Sequence, residues 1–423
     1  MKFSGKNTVW CLSLLVSLML PSPVLFAIPG EHEVGVRSRY QQTQDEWFDN
    51  ATTWTTRVFA RSLFTLDQQE QWQFQFQPNF VGTHVDKFNS VTDYNSHSII
   101  PDTKGFSLTQ AYMGYSGFTD WQIKLGRQSL SHDNERFLGQ LEYWQTPQSF
   151  DAISLTYRDA IHWHVQYAYS NKVHRIYGPD AKPRLPKSDS RYVHSPYRPA
   201  SELGQQSLGA HLLHLKYRVD PTLNIQGYFY ALNNQDQATS SSQTVGLVLS
   251  QRLKPKRFKY SYRLEYATQV DSFDNPYDYQ AWYGLIEGEV QYKSHVLRVS
   301  QEVLSEDKGI GFQTHLGTNH KFLGWADVFS GYFGDHGVRD TFVTYKGRRG
   351  RLRWRAVLHD FKAYSDGQYL GRELDLELVY RFDRKWQAQL VYADFNTSRQ
   401  WHSRHIAANF DLSTWFLSVS YNM

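Results

Sequence analysis

Three arginines occupy every second position of the stretch RLRWRAVLHD: Arg351, Arg353 and Arg355, with Leu352, Trp354, Ala356 and Leu358 between and after them. In an extended chain successive side chains point to opposite faces, so the guanidinium groups share one face and the apolar groups the other. A guanidinium presents flat, paired donors and keeps its charge, so such a row can hold carboxylates, whether on neighbouring strands or on a ligand. Other chemistry is poorly supplied. His162 and His164 share a face at a spacing that could hold a metal, but no third ligand or supporting carboxylate is identifiable, and wall polarity is the preferred reading. His132 with Asp133, and Asp335 with His336, are only adjacent pairs in loops, not an acid, base and nucleophile in fixed arrangement. The sequence contains no nucleophile elbow, phosphate loop or metal motif. The expectation is a protein that acts through charge and shape rather than an enzyme, with no metal and no cofactor.

These residues need elements to position them, and the chain supplies one kind. QWQFQFQPNF (71–80) sets Trp72, Phe74, Phe76 and Phe80 against Gln71, Gln73, Gln75 and Gln77. The same alternation recurs over 161–169, 260–267, 351–359 and 373–382. Most segments run about ten residues, the length that crosses a bilayer as a tilted strand. The wet face follows from energetics. An arginine facing lipid at mid-bilayer costs about 2–4 kcal/mol, so three of them would cost up to roughly 10, comparable to the whole stability of a domain. The arginines and glutamines therefore face water inside a closed wall, and the rings face hydrocarbon. Periodicity places Arg37, Arg39, Arg57, Arg61, Arg263, Arg298, Arg351, Arg353 and Arg355 on the inner face. Glu265, Glu287, Glu289, Glu302, Glu373, Asp375 and Glu377 also point inward. For any one of these arginines a cross-strand ion pair is the preferred reading over ligand contact.

The connections alternate in length. Short turns lie at 67–70, 119–120, 159–160, 220–222, 254–257, 293, 347–350 and 383–385. Long polar loops lie at 41–53, 81–105, 131–148, 171–207, 233–242, 270–279, 304–338, 362–371 and 396–411. With a first strand at Glu33–Tyr40 this predicts an all-β, transmembrane antiparallel β-barrel of 18 strands, with 16 the alternative count. Short turns then face the periplasm and long loops the exterior. KFLGWADVF (321–329) also alternates, but counting it breaks the even number, so it is assigned to the seventh outer loop, folded toward the pore. Residues 1–27 have the order of a secretory signal: Lys2 and Lys6, an apolar run from Val9 to Leu20, then Pro21, Pro23 and Ala27. Residues 28–423 form the barrel. Cleavage would remove the single cysteine, Cys11, and two lysines, taking the basic residues from 45 to 43 against 41 acids. That balance argues against a nucleic-acid partner.

The stretch LGRQSLSHDNERFLGQLEYWQTPQSFDAISL (125–155) resembles the alginate-export family of Gram-negative outer-membrane proteins. Gly126-Arg127-Gln128, Glu135-Arg136-Phe137-Leu138-Gly139, Trp144 and Phe150-Asp151-Ala152 carry the similarity, with LTQAYMGY (108–115) upstream. The resemblance implies an outer-membrane channel that passes an anionic, alginate-like uronate polymer through an arginine-lined constriction. It implies roles for Arg127, Arg136 and Asp151, either in substrate contact or in holding an infolded loop against the wall. It also implies lipid and lipopolysaccharide around the barrel and periplasmic secretion-complex proteins as partners. The chain is shorter than the well-known exporters, which leads us to expect reduced plug-like loops. Uptake of small anionic or neutral solutes is the alternative function.

Overall fold

The computed structural model describes residues 30–255, 257–329, 337–399 and 410–423. The expected signal (1–27) and the Asp335–His336 pair lie outside the described residues. The chain runs through β1 (Gly30–Asp45), β2 (Ala51–Thr65), β3 (Trp72–Lys87), β4 (Gly105–Tyr115), β5 (Trp121–Gln128), β6 (Ser149–Arg158) and β7 (Trp163–His174). It continues through β8 (Gln205–Arg218), β9 (Leu223–Asn234), β10 (Ser242–Leu253), β11 (Lys259–Asp271), β12 (Gln280–Tyr292) and β13 (His295–Leu304). After a two-residue hairpin, β14 (Glu306–Asp307) and β15 (Ile310–Gly311), come β16 (Val338–Arg349), β17 (Leu352–Ala363), β18 (Tyr369–Arg381), β19 (Trp386–Thr397) and β20 (Leu412–Asn422).

All but β14 and β15 belong to one 18-stranded sheet in which neighbours are antiparallel. It closes on itself, because β1 pairs with β2 on one side and with β20 on the other, from Gly35 opposite Asn422 to Asp45 opposite Leu412. Closure satisfies every backbone group without an open edge, which is what hydrocarbon demands. The connections expected as short turns gather at one rim and those expected as long loops at the other, but the loops at 46–50 and 364–368 are shorter than the turn at 66–71. Several strands are longer than expected. β1 runs on to Asp45 because its pairing with β2 continues to Thr43 opposite Ala51, which shrinks the first loop to 46–50.

Side-chain exposure confirms the two faces. On β18 Leu374, Leu376, Leu378 and Tyr380 are exposed, as is Phe382 just beyond it, whereas Glu373 and Asp375 are buried. On β3 Trp72 and Phe76 face out, while Gln75, Gln77 and Asn79 are buried inside. At the turn rim the outward rings pair along the wall, Trp72 with Tyr115 (4.6 Å between centroids), Trp121 with Tyr157 (5.1 Å), Trp163 with Tyr217 (4.7 Å) and Trp386 with Tyr421 (4.8 Å). Amphipathic rings prefer that depth, at the border between hydrocarbon and headgroups.

The bore differs from the expected water-filled cylinder with reduced plugs. Its loop-side half is packed with apolar groups. Inward residues Phe150, Leu212, Tyr283, Phe361 and Phe395 join Leu138, Phe312, Leu316, Trp325 and Phe329 from two infolded loops in one buried cluster. The loops are L3 (129–148) and L7, described over residues 305–329, which carries the 321–329 segment into the bore as expected. The inner wall is apolar there because the loops cover it, and the loops stay because that cover removes hydrocarbon surface from water.

An arginine introduced at the outward mid-strand position, Leu376→Arg, should cost about 2–4 kcal/mol of folding stability in phospholipid. Gln389→Arg, on the inner face, should change it by well under 1 kcal/mol. Denaturant unfolding in vesicles measures both.

Candidate functional site

L3 and L7 are far apart in sequence yet form one body. The Gly139 N–H donates to the Leu316 carbonyl (3.1 Å) and the Thr318 N–H to that of Glu135 (3.0 Å). Gln148 Nε2 donates to both Gly139 O (2.9 Å) and Leu316 O (3.0 Å). Glycine is required where they touch, since a Cβ on Gly317 would lie 2.0 Å from the Arg136 carbonyl oxygen. Arg136 then crosses to the far wall. Its Nε donates to Glu302 Oε1 on β13 at 2.7 Å, and the Tyr283 hydroxyl donates to the same oxygen at 2.8 Å. Both members of the ion pair are buried. Phe137 beside it packs against Tyr283 (5.0 Å) and Phe312 (5.6 Å).

The other end of L3 is held by arginines of β1. Arg37 donates to Gln145 Oε1 (2.9 Å), the Glu142 carbonyl (2.9 Å) and the Trp144 carbonyl (2.6 Å). Arg39 pairs with Asp102, donates to the Tyr143 carbonyl (3.0 Å) and lies over the Tyr143 ring (5.0 Å). Asp102 in turn accepts the Gln145 N–H (3.0 Å). Between the joined loops and the β17–β19 wall remains a cavity of ≈ 270 Å³ lined by Glu142, Tyr143, His320, Lys321, Arg355 and Glu377 among others. Its charges are of both signs and set across the opening: Arg355 pairs with Glu377 (3.2 Å) and lies over the Trp325 ring (4.3 Å), while Glu142, half exposed, faces Arg61 at 4.0 Å. Nearby in L3, burial lifts the Glu135 carboxyl above its ordinary range. For Asp133 burial acts the same way, but the Arg263 guanidinium prevails and holds the carboxyl low.

Most of the expected arginines lie on the inner face but are engaged. Arg57 donates to Asn79 (2.6 Å), Arg61 to Glu33 (3.1 Å) and Gln77 (3.0 Å). Arg263 binds Glu265 and Asp133, and Arg298 binds Glu287 (3.0 Å) and Glu289 (2.6 Å). Arg351 sits at the turn rim and donates to the Phe382 carbonyl. Arg353 has no ion pair among the described residues and is exposed to the bore. Two expected residues are elsewhere. Arg127 and Asp151 face each other across β5 and β6 on the face that carries exposed Leu125 and Ile153, so they lie on the outside of the wall. Their two contacts, 2.7 and 3.2 Å, and His174 Nε2 at 2.9 Å from Asp151, tie β5, β6 and β7 together near the loop rim. Asp151 falls there because Phe150 and Ala152, its neighbours on either side, are both buried inside.

Below the cavity, the turn-side vestibule holds residues that the sequence reading passed over. Lys124, Lys216, Arg252, Lys346 and Arg348 are on the inner face by strand alternation and, like Arg353, form no ion pair among the described residues. Lys346 stands opposite Arg355 and Arg348 opposite Arg353. Continuing the alternation of Val343 and Tyr345 into the supposed turn 347–350 would have found Arg348. The histidines serve the wall: His164 contacts Arg158 (3.2 Å), His162 the Arg218 carbonyl (2.8 Å), and His132 the Tyr230 hydroxyl (3.1 Å).

Residues 32–173 match the alginate export family. No curated protein sequence matches the chain significantly. Among solved structures, Acinetobacter baumannii OccAB2 superposes with a TM-score of 0.69 at 12% identity, over 93% of this chain and 98% of that one. Pseudomonas aeruginosa OccK8 (OprE) gives 0.65 at 14%, and P. aeruginosa OpdK with vanillate 0.66 at 12%, with the same coverage. The fold is that of an outer-membrane β-barrel channel.

Removing Arg136 leaves Glu302 buried without its counter-charge, so Arg136→Ala should destabilise by about 3–5 kcal/mol. The double variant Arg136→Met/Glu302→Gln should recover most of that loss. Thermal unfolding in detergent, followed by circular dichroism, compares the two.

Proposed function

We propose that this outer-membrane channel takes up small solutes bearing a carboxylate, and that it is not an enzyme. The carrying observation is the vestibule: Lys124, Lys216, Arg252, Lys346, Arg348 and Arg353 face it without carboxylate partners among the described residues. Unpaired cations in a confined aqueous space concentrate anions and offer weak, distributed contacts, which is what passage requires. The infolded loops set the size limit, because a cavity of ≈ 270 Å³ admits a body about as large as one sugar ring. Arg355 over Trp325 and the Tyr143 ring provide a charged edge and flat faces for such a solute. The apolar exterior takes outer-membrane lipid, with lipopolysaccharide at the loop rim, and residues 1–27 serve as the export signal.

A second reading, passage of an anionic uronate polymer, has its support in the match of residues 32–173 to the alginate export family. It requires L3 and L7 to leave the bore together, and it alone calls for periplasmic secretion-complex partners.

Single-channel recording in planar bilayers tests the proposal. Anion selectivity is expected, with block by monomeric uronate that weakens several-fold in Arg353→Ala and Arg348→Ala. Swelling of loaded vesicles should occur in mono-uronate and stop with oligomers of a few units. Cation selectivity would sink the proposal, and swelling in long uronate chains would favour the polymer reading.

A further inference from the structure

Behind the plug, one sector of the inner wall encloses more acid than base. Glu302 on β13, Asp340 on β16, and Glu373 and Asp375 on β18 are all buried, 1% exposed or less. Glu302 stands directly opposite Asp340, and Glu373 directly opposite His359 of β17. His359 bridges the group, with Nδ1 2.8 Å from Asp340 Oδ2 and Nε2 3.3 Å from Asp375 Oδ2. Arg136 on Glu302 brings a guanidinium into the same space. L7 supplies His320, 2.7 Å from Asp327, and the Arg355–Glu377 pair lies one step lower on the wall. β19 presents only Ala393 and Phe395 to this space. Glu302 Oε2, Asp340 Oδ1, Glu373 Oε2 and Asp375 Oδ1 have no hydrogen-bond partner among the described residues.

The plug is attached to this group at two points. Arg136 of L3 binds Glu302, and the Ala326 N–H of L7 donates to Glu373 Oε1 at 2.7 Å. The second contact is close: Gly324 has φ +85°, and a Cβ there would lie 2.3 Å from Glu373 Oε2. Each negative charge placed in such an enclosure loses hydration that only release of the plug restores.

We infer that the enclosure is a latch: loss of protons from its carboxyl groups loosens the joined L3–L7 plug, so the plug stays sealed to this wall at low pH, leaving only the narrow cavity beside it, and comes away as pH rises. The sign follows from linkage, since the sealed state binds more protons than the open one and is therefore favoured by low pH. One linked proton changes the sealed-to-open ratio by at most about tenfold per pH unit. The inference rests on the channel reading, but it can be tested without current. Ala326→Cys places a thiol on the plug of a chain whose one other cysteine is Cys11. Its labelling by a water-soluble maleimide is compared between the otherwise native protein and the same protein carrying Glu373→Gln and Asp375→Asn. The ratio of the two rates at each pH cancels the titration of the thiol itself. That ratio should be near one at pH 6 and rise about tenfold by pH 9. A ratio that stays flat or falls overturns the latch, and Asp340→Asn provides the same comparison if the double variant does not fold. A rising ratio in a protein that passes no ions would instead overturn the channel reading.

Discussion

Arg136 leaves the third outer loop, crosses the bore and meets Glu302 on β13, and both groups have given up water to do so. A pair of this kind is a weak source of net stability, because attraction in a low dielectric is largely spent on desolvation. Its importance lies in the asymmetry: either partner alone would be a buried charge, so the loop has one position and no neighbouring alternatives. The rest of the constriction is arranged around that fixed point. Phe137 packs where Arg136 holds it, Gly317 permits the backbone of L7 to lie against the backbone of L3, and Leu316 completes the junction. Without the crossing, the apolar groups of both loops would still prefer a dry place, but the β1 arginines on L3 and the Ala326 contact with Glu373 would be left to tie them to a sector of the wall.

The barrel was legible in the sequence because two physical constraints act on every strand at once. Hydrocarbon outside demands an apolar residue at alternate positions, and Trp354, Leu376 and Leu417 all obey. Parity of the strands then follows from turn lengths. What the alternation hides is the filling of the bore. Strands such as SFDAISLTYR carry apolar residues on the inner face toward their loop end, Phe150 and Ala152, a sign that something dry lies inside, but a period-two reading treats inner positions as wet by default. The family resemblance gave Arg127 and Asp151 a part in substrate contact or in holding an infolded loop, whereas they staple neighbouring strands on the outer face. A conspicuous motif marks what a fold needs, which here is rim geometry as well as passage. Of the vestibule cations, Arg348 was missed because it lies in what looked like a turn, while Lys124, Lys216, Arg252 and Lys346 lie within strands and were passed over in a reading centred on the arginine row.

Two zones of different character therefore lie in series along one bore. The turn-side zone carries bases that form no ion pair among the described residues. The loop-side zone is dry, its charges bound in pairs or enclosed behind the plug. A solute entering from the loop side meets steric selection before charge selection, and one entering from the turn side meets them in the reverse order.

The seal is made from segments that begin at residues 129 and 305, and its anchors lie on β13 and β18. During insertion, then, the amino-terminal strands can assemble while the lumen they enclose still lacks its cover. Only after the carboxyl-terminal third is threaded can the stopper be completed, at the same stage as β20 reaches β1. Chain order alone thus places the last anchor of the plug, on β18, only two strands before the β20 that closes the cylinder on β1.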